Sequence, residues 1–127
     1  MVRKIVTVKV DGSVAGPGDS KGIRYGRNIV SKEELFGHGR LFAHTIIPSG
    51  STVGWHQHVH DTEPYYILKG EGDFFEGDSE NGERIKTHVS AGDVCVINVG
   101  QWHSIENNSS EDLEIIALIY NEPGYLS

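Results

Sequence analysis

Turn-forming residues interrupt this chain at short intervals, and this spacing restricts the elements that the chain can form. Clusters such as Pro48-Ser49-Gly50, Asp78-Ser79-Glu80-Asn81-Gly82 and Asn107-Asn108-Ser109-Ser110 contain residues that accept a positive φ or hydrogen-bond their own backbone. The segments between these clusters are short and rich in β-forming residues. Many short strands separated by turns favour a sandwich or barrel over a parallel α/β sheet. The sequence therefore predicts an all-β, antiparallel domain with little helix.

The strands are predicted at Lys4–Val10, Arg24–Val30, Arg40–Ile47, Thr52–His58, Pro64–Lys69, Gly72–Glu76, Arg84–His88, Asp93–Asn98, Ser104–Asn107 and Leu113–Tyr120. One helical turn is predicted after Ser31, because Ser31 and Glu34 have the spacing of a capping box. The Gly-rich segment 11–22 is predicted to be a flexible loop between the first two strands.

Length and charge limit the possible partners. A chain of 127 residues fits one domain, predicted as N-terminal strands with the Gly-rich loop in 1–30 and a barrel core in 40–120. Its net charge of -7 argues against nucleic acid or an anionic membrane as a partner. The single cysteine, Cys95, cannot form an intrachain disulfide, and no apolar stretch has the length of a membrane span. The expected location is the cytoplasm.

Three histidines and one glutamate form the most informative pattern. His56 and His58 point to the same side of a strand, because side chains alternate between its two faces. Glu63 is five residues further on, and turn chemistry at Asp61-Thr62 would restart the alternation so that the glutamate faces the two rings. His103, about forty-five positions after His58, is the fourth candidate residue of this pattern.

Three imidazoles and a carboxylate are a donor set suited to one divalent transition metal ion, namely Mn, Fe, Ni, Zn, Co or Cu. Calcium and magnesium prefer sites made of oxygen donors alone. In a six-coordinate site, four protein ligands leave two adjacent positions for water, dioxygen or a substrate. The alternative is that the His56/His58 pair is merely exposed on an edge strand.

Two segments of the chain resemble the motifs of the cupin superfamily. Residues 50–70 match the first motif, G-x5-H-x-H-x4-E-x6-G, at every specified position. Residues 92–107 are similar to the second motif, G-x5-P-x-G-x2-H-x3-N, with Asn98 in place of the proline. Proline would lock φ in this turn, and asparagine is itself a good turn former. The resemblance is to a small, single-domain cupin.

This resemblance implies a double-stranded β-helix, or jelly-roll, barrel in which His56, His58, Glu63 and His103 bind the metal. It also implies a small-molecule ligand and a homodimer. The first hypothesis is an enzyme that acts on a small oxygen-rich substrate, such as a carboxylic acid or sugar derivative, as a dioxygenase, decarboxylase, isomerase or lyase. The alternative is a binding or sensing module without turnover, and a third possibility is a structural barrel with vestigial histidines. Fold alone does not select among them.

Residues near the motifs allow two interpretations each. Tyr65 and His44 are candidate proton-transfer groups, but Tyr65 could equally form a packed wall and His44 could be a hydrogen-bonded core residue. His60 is predicted to be an exposed loop residue and not a ligand. Trp55 and Trp102 each precede a predicted ligand, so they are expected to point away from it and to serve packing or an oligomer contact.

Overall fold

The computed structural model describes residues 1–127, and most of its regular structure is β-strand. The strands are β1 (Thr7–Asp11), β2 (Ile23–Val30), β3 (Gly39–Ile47), β4 (Thr52–Gln57), β5 (Asp61–Thr62), β6 (Tyr65–Lys69), β7 (Glu71–Gly77), β8 (Ile85–Ser90), β9 (Val94–Cys95), β10 (Trp102–Glu106) and β11 (Leu113–Asn121). The helical segments are α1 (Gly12–Ala15) and a 3₁₀ turn at Glu33–Leu35. Neither helical segment has the length and apolar character needed to cross a bilayer.

The strands form two antiparallel sheets, which confirms the predicted fold class. The larger sheet has the order β1-β2-β3-β11-β6-β9, with β5 also paired to β11, and the smaller has the order β4-β10-β7-β8. The core lies between them and contains Ile47, Ile67 and Leu113 from the larger sheet and Phe74 and Ile105 from the smaller. The sheets thus enclose a barrel whose interior is packed with branched side chains.

Residue alternation on β11 shows how the sequence specifies this packing. The four residues Leu113, Ile115, Ala117 and Ile119 are buried, whereas the residues between them are half-buried. A period of two places one set against the core and the other on the outer face, so a shift of one residue would expose the whole buried set. The pairing of β11 with β3 and β6 is therefore strongly determined.

The predicted strands all correspond to observed ones, with shifted ends. The largest difference is at Asp93–Asn98, where only Val94–Cys95 pairs, with Tyr66 and Tyr65 of β6. Pro64 precedes β6 and has no N–H with which to extend the ladder, so the pairing stops there. The predicted helical turn is present: Glu34 N donates to Ser31 Oγ at 3.2 Å, and Ser31 N donates to Glu34 Oε1 at 2.8 Å.

The Gly-rich segment is more ordered than the sequence predicts. Asp11 caps α1 by accepting from Ser13 N, and the following residues pack along β4. There Gly54 N donates to Ser20 Oγ at 2.8 Å and Trp55 N donates to Asp19 Oδ1 at 2.9 Å. We call residues 12–22 the β1–β2 loop. Its side chains supply acceptors for backbone N–H groups of β4, and this long-range pairing is invisible in the local sequence.

Candidate metal centre

The four predicted ligands come from both sheets. His56 lies on β4 and His58 directly after it, and the cross-strand partner of His56 on β10 is His103. The predicted turn at Asp61-Thr62 is wrong, because these two residues form β5 and pair with β11. The chain reverses one step earlier, where His60 has a φ of 65°. This earlier turn sets which side chains point toward the interior, and Glu63 then contacts His58 and His103.

The ligand atoms of these residues converge on one point. His56 Nε2 lies 3.2 Å from both His58 Nε2 and His103 Nε2, and the latter two are 3.0 Å apart. Glu63 Oε1 lies 3.2 Å from His58 Nε2 and 3.3 Å from His103 Nε2. It makes no such close contact with His56, although all four ligand atoms lie within 4.8 Å of one another.

These separations match an octahedral arrangement better than a tetrahedral one. With metal–ligand bonds of about 2.1 Å, adjacent octahedral ligands lie about 3.0 Å apart and opposite ones about 4.2 Å, whereas all tetrahedral ligands are equally spaced. Five of the six separations between ligand atoms are short, and the one between His56 and Glu63 is longer. An octahedral ion held by these four residues would have two further positions for a ligand.

Hydrogen bonds orient the rings for metal binding. His56 Nδ1 lies 2.6 Å from Gly54 O, which can only accept, so this nitrogen carries the proton. His58 Nδ1 likewise donates to Asp61 Oδ1 at 2.7 Å. In both neutral rings the lone pair is then on Nε2. Lone pairs that face each other at 3.2 Å repel, and a cation between them removes that repulsion. The donor set thus fits a transition metal ion.

Burial and neighbouring charges keep His56, His103 and Glu63 in the form that binds metal. Burial lowers the pKa of His56 to about 4 and also lowers the pKa of His103, so both rings are neutral at pH 7. Burial alone would raise the pKa of Glu63, but its contacts with His103 and His58 outweigh burial and lower that pKa to about 2. A neutral imidazole and an ionised carboxylate are the forms that bind metal.

A cavity of about 320 Å³ opens beside the cluster. His56, His58 and Glu63 lie in its wall, together with Tyr65 and the arginines Arg24 and Arg40. The rest of the wall is mostly apolar and consists of Leu41, Val53, Ile115, Ala117 and Ile119 with Ala15 and Pro17 of the β1–β2 loop and Thr45. A pocket of this size and lining accepts a small ligand with few polar groups.

The two candidate proton-transfer residues occupy different places. Tyr65 is buried in the cluster: its O–H donates to Glu63 Oε1 at 3.2 Å, and its ring stacks on His103 with centroids 5.1 Å apart. Burial and the charge of Glu63 raise the pKa of Tyr65 far above its ordinary value. His44 does not line the pocket; its Nε2 lies 2.8 Å from Glu114 Oε1 on the outer face. His44 is therefore hydrogen-bonded, but on the outer face and not in the core.

The other singled-out residues lie outside the cluster. His60 is exposed, with Nδ1 2.8 Å from Glu122 Oε1 and its ring stacked on Tyr125. Trp55 and Trp102 stack on each other with centroids 6.0 Å apart on the side of β4 and β10 away from the ligands. The two indole rings thus pack against each other. Asn98 occupies the turn without the motif's proline, and its N–H donates to Gln101 Oε1 at 2.8 Å.

Sequence reasoning missed three charged residues around the cluster. Asp61 bonds His58 and also accepts from Arg40 Nε at 3.0 Å. Asp61 lies between the predicted ligands His58 and Glu63 in the sequence, and this position could have identified it. Arg24 lies far from the motifs in sequence, and only the pairing of β2 with β3 brings it to the pocket. No local pattern could have identified it.

The Asp61→Asn variant is expected to bind metal roughly 10- to 100-fold more weakly, because the charged partner that orients His58 is lost. Competition with a chelator of known affinity measures this change. Asp112→Asn, at an exposed position, is the matched control and should leave the affinity unchanged. Equal affinities for the Asp61→Asn variant and the unmodified chain would show that this hydrogen bond does not orient a ligand.

The chain is similar to known proteins over most of its length. Residues 43–119 match the family model of the cupin domain. A Thermotoga maritima protein named oxalate-binding protein is 45% identical over 92 residues, which cover 72% of this chain and 71% of that protein. The match to the family model thus includes both motif segments, part of β3 and most of β11.

Solved structures extend the likeness to nearly the whole chain. A Thermotoga maritima crystal structure, described as a predicted oxalate decarboxylase, superposes with a TM-score of 0.80 at 38% identity and covers 96% of this chain and 99% of its own. The cupin domain of Drosophila melanogaster CENP-C superposes with a TM-score of 0.67 at 14% identity, over 91% of this chain and 70% of its own. That second likeness concerns the fold alone.

Proposed function

The chain belongs to the cupin family, and we propose that it binds a small carboxylate through a divalent transition metal ion held by His56, His58, Glu63 and His103. The family assignment makes the double-stranded β-helix the frame of this site. A bound ion would supply Lewis-acid coordination of the ligand's carboxylate oxygens. The relative named oxalate-binding protein supports a carboxylate as the ligand.

One observation carries this proposal: the spacing of the four ligand atoms. Glu63 Oε1 is close to two of the Nε2 atoms and distant from the third, that of His56. An octahedral ion held by these four residues would keep two positions free, and these would suit a ligand that binds through two oxygens. A purely structural site would more often be closed by protein donors.

The pocket favours binding over turnover. A decarboxylase or isomerase requires a group that gives or takes a proton at the substrate. Glu63 is a proposed metal ligand, Asp61 pairs with Arg40, and the O–H of Tyr65 donates to Glu63. With its pKa raised far above 10, Tyr65 is a poor acid near neutral pH. No other acid or base lines the cavity apart from the predicted ligands and the two arginines. We therefore place the binding module ahead of the enzyme.

Titration of the metal-loaded protein with oxalate tests this proposal. Separate samples reconstituted with Mn, Fe, Co, Ni, Cu or Zn would be titrated in a calorimeter and then incubated with oxalate while released CO₂ is measured. We expect saturable binding with at least one ion and no CO₂ release. Binding that is equally strong in the metal-free protein would contradict the proposal, and steady CO₂ release would favour the enzyme.

Metal affinity is expected to fall as the pH drops below about 6.5. Burial of His58 opposes its protonation, but its contacts with Glu63 and Asp61 outweigh burial and raise its pKa. As the pH falls, His58 is thus the first of the three rings to take up a proton, which competes with the metal. Chelator competition at about pH 8 and about pH 5 measures this change in metal affinity. These values lie about 1.5 units above and below an ordinary histidine pKa. Constant affinity down to about pH 4 would argue against histidine ligation.

The proposal includes a homodimer in the cytoplasm. The face of β1, β2 and β3 supports the dimer, because it forms a groove of about 700 Å³ in which exposed valines lie among charged residues that include Arg24. Val6 and Val8 of this groove are 71% and 56% exposed. Large exposed apolar patches are typical of protein contacts. Sedimentation equilibrium at micromolar concentration tests this part separately, and a monomer would contradict it.

A further inference from the structure

Arg24 has an unusual position beside the candidate metal centre. It lies on β2 opposite Val10 of β1, and its side chain lines the same cavity as His56 and Glu63. The neighbouring arginine of that strand, Arg27, lies three residues on and bonds Thr7 outside the cavity. Arg24 also lines the groove of β1, β2 and β3, but it is the arginine of β2 that reaches the pocket.

The guanidinium of Arg24 has no partner within its own chain. It forms no hydrogen bond and no ion pair, and its Nη1 has almost no contact with solvent. The other arginines all have partners, which are Glu34 for Arg3, Thr7 for Arg27, Asp61 for Arg40 and the Trp55 ring for Arg84. An unpaired guanidinium that is partly removed from water is unfavourable, and an anion in the pocket would pair with it.

The charges around the pocket indicate the ligand's own charge. A bound divalent ion and the Glu63 carboxylate would together carry one positive charge. The charges of Asp61 and Arg40 cancel, and Arg24 adds a second positive charge. Two positive charges thus remain for the ligand to balance. A monocarboxylate would balance only one of them, whereas a small dicarboxylate balances both.

We propose that Arg24 binds a second carboxylate group and makes the site selective for small dicarboxylates over monocarboxylates. This inference rests on the proposed function, since it concerns the same metal site. The planar guanidinium offers paired N–H donors that match a carboxylate. The cavity of about 320 Å³ and its apolar wall of Leu41, Val53 and Ile115 limit the ligand to a short dicarboxylate.

Oxalate and glycolate are the probes for this inference, because both can bind a metal through two oxygens but differ by one charge. Calorimetric titration of the metal-loaded full chain should show tighter binding of oxalate. In Arg24→Gln, oxalate affinity should fall roughly 10- to 100-fold, the range expected for a lost charge-assisted pair. Glycolate affinity should change much less, so the preference for oxalate shrinks.

Two measurements separate this effect from general damage. Metal content should be equal in Arg24→Gln and the unmodified chain, because Arg24 is not a ligand. Arg27→Gln, on the same strand but outside the cavity, should keep the preference for oxalate. If Arg24→Gln fails to fold, Arg24→Met matches the arginine's hydrocarbon stem and carries the same expectation.

The outcomes distinguish this inference from the proposed function. An unchanged oxalate-to-glycolate ratio in the Arg24 variants overturns the assignment of Arg24. Equal binding of both probes by the unmodified chain also overturns it, while carboxylate binding itself still stands. If the metal-loaded chain binds neither probe, the proposed function fails first.

Discussion

The His103→Ala variant is expected to retain almost no transition metal after purification, whereas the unmodified chain retains close to one ion. His103 Nε2 lies 3.0 Å from His58 Nε2 and 3.3 Å from Glu63 Oε1, so it belongs to the innermost part of the cluster. Loss of a residue that only orients a ligand typically weakens metal binding by about 10- to 100-fold. Loss of a ligand should weaken it further. Elemental analysis of the dialysed protein measures the metal content.

His60→Ala is the matched control for this experiment. His60 follows His58 by two residues, yet its ring stacks on Tyr125 at the surface and contacts Glu122. Its removal should leave the metal content unchanged. His56→Ala should behave like His103→Ala. Equal metal loss in all three variants would show that the coordination sphere has been assigned to the wrong residues.

The Gly54→Ala variant is expected to lose about 2–4 kcal/mol of unfolding free energy. A Cβ at Gly54 would lie 2.6 Å from Asp19 N and even closer to Ser20 N, and both are backbone atoms that cannot simply rotate away. The β1–β2 loop must therefore move off β4. That movement breaks the bonds from Gly54 N to Ser20 Oγ and from Trp55 N to Asp19 Oδ1. Urea denaturation measures the loss.

The same substitution should also weaken ligand binding, because Ala15 and Pro17 of the β1–β2 loop line the cavity. Gly26→Ala is the control: it also replaces a strand glycine, but its Cβ would meet only Val8 O, at 4.0 Å. Its unfolding free energy should change by less than about 1 kcal/mol. If Gly54→Ala and Gly26→Ala are equally stable, the β1–β2 loop does not depend on close approach to β4.

Local patterns predicted the parts of the fold that depend on neighbouring residues. The alternation of Leu113–Asn121 and the capping box at Ser31 and Glu34 involve residues within a few positions of each other. The two His-containing motifs likewise have fixed internal spacings. The misplaced turn at Asp61-Thr62 shows the limit of this reasoning, because those residues are extended only through their pairing with β11.

Face assignment was harder, since it depends on register between distant strands. His44 and Thr45 are adjacent on β3, but Thr45 lines the cavity and His44 contacts Glu114 on the other side. A shift of one residue in strand register would exchange the side chain that lines the pocket with the one that pairs on the outer face. Arg24 is a second case, because β2 must pair with β3 before its side chain meets residues more than thirty positions away.

The sequence by itself determined the chemical type of the site and the strand-rich fold, because both follow from which residue types recur at short, fixed spacings. Only the tertiary structure decided that the four ligand atoms converge, that Asp61 pairs with both His58 and Arg40, and that Arg24 lines the pocket without a partner in the chain. These features depend on contacts between strands that are distant in the chain. Burial then sets the strength of each interaction, and no local pattern encodes it.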